Sequence, residues 1–262
     1  GSVPSIDTAT GNVVVPPGTP AGTYEITYTI CDVINKIKTN CDSATVTIIV
    51  ETQVLATADS ATVNGYTGDS NVLNILTNDK VNSDSATTSN VTISIVDWAD
   101  PINGGSVPSI DTKTGIVSVP SGTPAGTYEI TYSICDSVNK GTTNCDTATV
   151  TVVVTAADIV ANDETTSPIN GYTGDSNVLN VLTNDTLNGD SITIGAIHVS
   201  VLTPATPING GSVPSIDTAT GAVSVPAGTP AGSYTIVYEI CEKLNDENCD
   251  TATVTVVVTA AD

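Results

Sequence analysis

The chain repeats itself, and a repeat this long restricts the fold more than any single motif does. Gly1-Ser2-Val3-Pro4-Ser5-Ile6-Asp7-Thr8 returns at residues 105–112 and again at 211–218. Each copy runs on through Gly-Thr-Pro-Ala-Gly, a Tyr-x-Ile-x-Tyr-x-Ile-Cys stretch, a second cysteine and an alternating Thr/Val tail. The tails close at Val50, Val154 and Val258, 104 residues apart. Solenoid repeats are far shorter, so the unit is a domain-sized module in tandem. A second block, Asn71–Asp79, recurs at Asn177–Asp185 and has no counterpart ahead of Gly1. The pattern predicts the back half of a repeat at 1–51, complete repeats at 52–155 and 156–259, and the start of another at 260–262. The chain reads as an excerpt from a longer polymer of domains.

Period-2 alternation runs throughout, and no segment sustains a helical period. In Tyr128-Glu129-Ile130-Thr131-Tyr132-Ser133-Ile134-Cys135 the Tyr and Ile side chains share one face, while Cys135 falls with the polar residues. In Cys145-Asp146-Thr147-Ala148-Thr149-Val150 the Ala and Val residues face one way, and Cys145 sits with the threonines. Both cysteines therefore point outward from adjacent strands. That parity is wrong for a bond between two sheets through the core and right for a staple across one hairpin. The expected bonds are Cys31–Cys41, Cys135–Cys145 and Cys241–Cys249, which imply an oxidising compartment.

Asp-Thr-x-Thr-Gly at 7–11, 111–115 and 217–221 predicts hairpin turns, as do Asn64-Gly65 and Asn170-Gly171. Pro16, Pro120 and Pro226 end the strands that follow the first set, and further strands are expected at Val91–Val96 and Ile192–Val201. Some seven short strands per repeat predict an all-β chain of tandem Ig-like Greek-key β-sandwich domains. The junction Val152–Val160 contains neither Gly nor Pro, so the domains are expected to form a stiff rod.

Charge narrows the function. Against 28 acidic residues stand six lysines and no arginine, a net charge of −22. Nucleic acid and anionic membrane are poor partners for such a surface, and the bidentate arginine clamps of many enzymes are missing. No run reaches the length of a membrane span, and no signal peptide is evident. With no Phe, no Met, one Trp and eight Tyr, the core must rest on Val, Ile, Leu, Ala and Tyr.

Val178-Leu179-Asn180-Val181-Leu182-Thr183-Asn184-Asp185 through Asn188-Gly189-Asp190, with the later Thr-Ala-Thr-Val-Thr-Val ending, resembles bacterial cadherin-like Ig domains. The cysteine-containing half is similar to tandem repeats of giant Bacteroidetes surface proteins, among them gliding-motility adhesins of the SprB type. The resemblance implies secretion, an extracellular place on the bacterial outer surface, and a role in adhesion or gliding.

Individual residues offer little catalysis. His198 is the lone histidine and has no counterpart in the preceding repeat, and Trp98, also unrepeated, reads as a packing residue at a strand end. Calcium is the metal candidate, since carboxylate oxygens near domain junctions suit it; the ligands would be Asp163, Glu164, Asp185 and Asp190. Solvated loop acids are the alternative, because Lys80 intrudes in the matching stretch of the preceding repeat. All six lysines fall in expected loops, which argues against isopeptide cross-links. Surface proteins of this kind carry O-glycans at Asp followed by Ser or Thr and a small apolar residue. The resemblance extends that rule to Ser43, Thr147 and Thr251, and to Thr8, Ser60, Ser85, Ser137, Thr186, Ser191 and Thr218.

No active-site constellation emerges, and no cofactor is expected beyond possible calcium. The leading reading is a structural stalk in a surface adhesin whose partners are neighbouring repeats, with any surface or polysaccharide ligand bound at a tip elsewhere. The alternatives are a weak polysaccharide-binding array and accessory domains of a secreted hydrolase. Tyr24, Tyr28, Tyr128, Tyr132, Tyr234 and Tyr238 have core parity, leaving only Tyr66 and Tyr172 as candidate sugar platforms.

Overall fold

A computed structural model describes residues 1–34, 40–138 and 144–261. Every regular element among them is a strand. The half-repeat supplies β1 (Ser5–Ile6), β2 (Val13–Val14), β3 (Gly22–Cys31) and β4 (Cys41–Val50). The middle repeat supplies β5 (Val54–Leu55), β6 (Asp59–Asn64), β7 (Asp69–Asn74), β8 (Lys80–Val81), β9 (Asp84–Ser85), β10 (Val91–Asp97), β11 (Ser109–Ile110), β12 (Ile116–Val119), β13 (Gly126–Asp136) and β14 (Cys145–Thr155). The last repeat supplies β15 (Ile159–Val160), β16 (Glu164–Thr165), β17 (Ile169–Asn170), β18 (Asp175–Asn180), β19 (Thr186–Leu187), β20 (Asp190–Ser191), β21 (Ile197–Thr203), β22 (Ser215–Ile216), β23 (Ala222–Val225), β24 (Gly232–Glu242) and β25 (Cys249–Thr259).

In the middle repeat one sheet runs β10-β13-β14-β6, a second β11-β12-β7, and a small third β5-β8-β9. The β6–β14 pair is parallel, from Asp59 opposite Val150 to Asn64 opposite Thr155. The antiparallel pairs β7–β12 and β10–β13 join strands that are not consecutive in the chain, which makes the sandwich Greek-key rather than a simple meander. Tyr128, Ile130, Tyr132 and Ile134 from β13 and Val150, Val152 and Val154 from β14 are buried against Val117 and Val119 of β12 and Ile75. The alternation expected from sequence is observed except at Ser133, which is buried on the polar side with its hydroxyl on the Asp146 carbonyl. At the hairpin turn Gly115 adopts a φ of 76°, a region open to glycine, and the Asp111 carboxylate accepts the Lys113 amide and the Thr114 hydroxyl.

The last repeat copies this plan with one difference. The strand equivalent to β6 is split into β16 and β17, both parallel to β25. Between them lie an extra residue and Pro168, which has no amide proton for the ladder. The Thr166 hydroxyl accepts the Val257 amide at 3.0 Å across the gap. A second departure from expectation concerns Ile192–Val201. The strand begins only at Ile197, because a turn from Thr193 to Ala196, closed by the Ala196 amide on the Thr193 carbonyl, precedes it.

Residues 1–51 keep the long hairpin but not its burial. β3 and β4 pair as fully as their equivalents, yet Tyr28 is 41% exposed where Tyr132 and Tyr238 are buried. Ile6 and Val13 of the β1–β2 hairpin face Tyr28 and Val46 across a groove there rather than burying them.

Candidate functional site

Two features have chemistry attached: a buried tyrosine bearing two carboxylates, which recurs in each complete repeat, and a polar joint between the middle and last repeats.

Core parity places Tyr132 inside the middle sandwich, and its hydroxyl must then find partners there. It donates toward Asp79 Oδ2 at 3.2 Å, Asp59 Oδ2 at 3.3 Å and the Thr57 carbonyl at 3.1 Å. Asp79 is 1% exposed and also accepts the Thr57 amide through Oδ1 at 2.7 Å. Burial pushes the Asp79 carboxyl up to about 6, and the nearby charges of Asp59 and Asp146 push the same way. Burial also raises Asp59. The last repeat builds the same cluster from Tyr238, Asp185 and Glu164, with hydroxyl–carboxylate distances of 3.1 Å to Asp185 Oδ2 and 3.1 Å to Glu164 Oε1. Burial raises Glu164 to about 7 and raises Asp185. Burial first, then the neighbouring acids, also pushes the Tyr132 and Tyr238 hydroxyls up, so both remain donors. One hydroxyl proton cannot serve two carboxylates at once, so each cluster favours retaining a second proton between them.

The joint is built by the tip of the β24–β25 hairpin, which the Cys241–Cys249 bond closes at its base. Glu242, 1% exposed, accepts through Oε2 the side-chain amides of Asn245 and Asn248, both at 2.9 Å, and the Ala157 amide at 3.3 Å. Its other oxygen is buried without a hydrogen-bond partner among the described residues. Asn248 donates to the Ala157 carbonyl at 2.8 Å, so the tip holds the connecting segment at both its polar groups. Asn245 then reaches the preceding repeat, where its Oδ1 accepts the Ala125 amide at 2.7 Å. On the other flank Asn64 donates to Asn188 Oδ1 at 2.9 Å. Tyr66 packs on the core of the following repeat, and with Ser121 and Gly122 it faces Ala196, Lys243 and Leu244 across a groove. Gly65 makes this turn possible. A Cβ there would collide with the Thr123 carbonyl and the Val154 side chain, while its amide and carbonyl bond Thr155 and Gly122.

The residues singled out by sequence are distributed as follows. Cys31 faces Cys41, Cys135 faces Cys145 and Cys241 faces Cys249 at directly opposed positions, and all three pairs are bonded. Of the calcium candidates, Glu164 and Asp185 meet on Tyr238, Asp163 accepts the Thr253 amide at 2.8 Å, and Asp190 lies exposed on β20. These four do not converge as one ligand set. Among the described residues, the one close grouping of metal-ligand atoms is Glu239 with Cys241 and Cys249, whose sulfurs are bonded to each other. The hydroxyl-bearing residues Thr8, Ser43, Ser60, Ser85, Thr147, Ser191, Thr218 and Thr251 are exposed, and Ser137 and Thr186 are half-buried. The aspartates beside two of them tie the start of each complete repeat to its last strand, since Asp146 accepts the Ala56 amide at 2.9 Å and Asp250 the Ala161 amide at 2.8 Å.

Three expectations need correction. Trp98 is 57% exposed rather than packed, because Ala99 beside it takes the buried position after the β10 bulge. Tyr66 is no surface platform, since it packs on the next repeat. Lys80 lies in β8, a strand, whereas Lys113 and Lys243 lie outside strands as expected. Lys36, Lys38, Lys140 and Asp262 lie outside the described residues. His198 is exposed on β21, opposite Cys241.

No protein-family model matches the sequence, and no curated protein matches it. Solved structures similar in part are cadherin extracellular regions. Mouse cadherin-23 repeats 22–24 align at 14% identity over 98% of this chain and 82% of that one, with a TM-score of 0.35. The protocadherin gammaB4 extracellular domain aligns at 15% identity over 100% and 44%, TM-score 0.35. Protocadherin gamma B2 domains 3–6 align at 11% identity over 91% and 60%, TM-score 0.33. The chain thus spans 44% and 60% of those two protocadherin chains. Superpositions this loose say nothing of function, and the fold rests on the strand order and cores above.

Proposed function

We propose that this chain is a stretch of the stalk of a secreted bacterial adhesin, displayed on the outer cell surface, where it spaces or carries load rather than catalyses. The joint supports this most directly: hydrogen bonds and Tyr66 packing tie the middle repeat to the last without a flexible linker. Cystine-closed hairpins and the strong negative charge suit a rod exposed outside the cell. Gliding motility is the finer form of this reading and rests on the sequence resemblance alone. A polysaccharide-binding array fits less well. Trp98 is exposed, but Pro204 follows the equivalent strand of the last repeat, so no stacking surface is repeated to supply avidity. Antibody against residues 52–155 should label intact producing cells. Labelling that requires lysis overturns the proposal.

A further inference from the structure

The two complete repeats present the same face in different states. In the middle repeat the face is formed by the Asn64–Thr67 turn and by Pro124 and Ala125, and it is covered by the tip of the following hairpin. In the last repeat the equivalent residues are Asn170, Tyr172, Pro230 and Ala231, which occupy corresponding positions in the repeated sequence. Tyr172 is 75% exposed where Tyr66 is half-buried. Asn170 and Ala231 are exposed where Asn64 and Ala125 are half-buried, and Pro230 is half-buried where Pro124 is buried. The backbone beneath is the same in both. Gly171 bonds the Thr259 and Gly228 backbones as Gly65 bonds Thr155 and Gly122, and a Cβ at Gly171 would collide with the Thr229 carbonyl as one at Gly65 would with Thr123. The surface is therefore already shaped, not waiting to be ordered.

We infer that the face carrying Asn170, Tyr172 and Ala231 is a docking site for the cystine-closed hairpin tip of another repeat of this kind. The occupant is identified by the contacts made one repeat earlier. An asparagine carbonyl, as in Asn245, would accept the Ala231 amide. The turn around Tyr172 would pack on the occupant's core beside a Glu-Lys-Leu segment like residues 242–244. Asn170 would donate to an asparagine placed like Asn188. Amide, backbone and aromatic groups make these contacts, so the joint's specificity lies in an Asn–backbone contact and a tyrosine cap. The inference rests on the stalk reading for its biological sense. Its physical content is separate, because surface display could fail while the face still docks.

The test is tyrosine nitration read by peptide-resolved mass spectrometry. In the 262-residue chain as it stands, Tyr66 should react more slowly than Tyr172, and Asn245→Ala should raise Tyr66 toward the Tyr172 rate. Appending one further copy of residues 156–259 directly after Thr259 should lower Tyr172 to the rate of Tyr66. Asn→Ala at the Asn245 equivalent of the added copy should reverse that protection. Equal rates for Tyr66 and Tyr172 in the unextended chain overturn the inference whether or not an extended chain folds. So does a Tyr172 that stays fully reactive beside an added repeat whose own cystine has formed.

Discussion

Raising the pH from 5 to 7.5 should destabilise the middle repeat, the reverse of what carboxylates in surface hydrogen bonds do. The cause is the buried pair on Tyr132. Asp79 has a folded pKa of about 6 against an ordinary 3.8, so the folded state holds a proton that the unfolded state releases. Stability from this group is fully present below 3.8 and is lost as pH rises through 6. The whole difference corresponds to about 3 kcal/mol, and about 1.4 kcal/mol of it falls between pH 5 and 7.5. Asp111, whose pKa is lowered by the Lys113 amide and the Thr114 hydroxyl, loses its favourable contribution only at lower pH, outside that window.

The assay is favoured by the lone tryptophan. Trp98 stands just beyond β10, so its fluorescence in urea titrations reports the middle repeat. Asp79→Asn keeps an oxygen for the Thr57 amide and removes the ionisable group. Its stability should be flat across the window to within about 0.5 kcal/mol, while the parent chain falls by about 1 to 1.5 kcal/mol. A parent stability that rises from pH 5 to 7.5, or a slope surviving in Asp79→Asn, refutes the shared-proton account.

Non-reducing peptide mapping of secreted material should recover 31–41, 135–145 and 241–249 and no bond between repeats; replacing Cys135 and Cys145 by serine should cost at most about 3 kcal/mol, the limit for so short a loop. Any stabilisation by calcium at pH 7.5 should disappear in Glu164→Gln with Asp185→Asn, the two acids that meet on Tyr238; a calcium effect that survives both puts the ion elsewhere. Intact mass of natively secreted protein should exceed the sequence mass by whole glycan units located at Ser43, Thr147 or Thr251, and an unmodified mass removes glycosylation from the account.

Sequence parity was enough to place the cystines and the core, because a strand side chain has only two directions and the hairpins β3–β4, β13–β14 and β24–β25 keep an unbroken register. It failed at Trp98, beyond the β10 bulge, and at the start of β21, where the Thr193–Ala196 turn delays the strand. The tyrosine clusters were half legible. Tyr132 and Tyr238 read as core, and Asp79 and Asp185 recur in one repeated block. That a hydroxyl and two acids from three strands or loops meet is long-range information that periodicity does not carry. The joint was least legible, because its chief contact joins Asn245 to a residue 120 positions earlier and lies in the hairpin tip, where the repeats differ in length as well as sequence. The hairpin tip varies between copies, while the face it covers, Asn64, Tyr66, Pro124 and Ala125, recurs unchanged at Asn170, Tyr172, Pro230 and Ala231. Near-identical domains in tandem are prone to mispair during folding. Because the docking face recurs unchanged, the short junction Thr155-Ala156-Ala157-Asp158, rather than the tip's own sequence, is what pairs each tip with its neighbour.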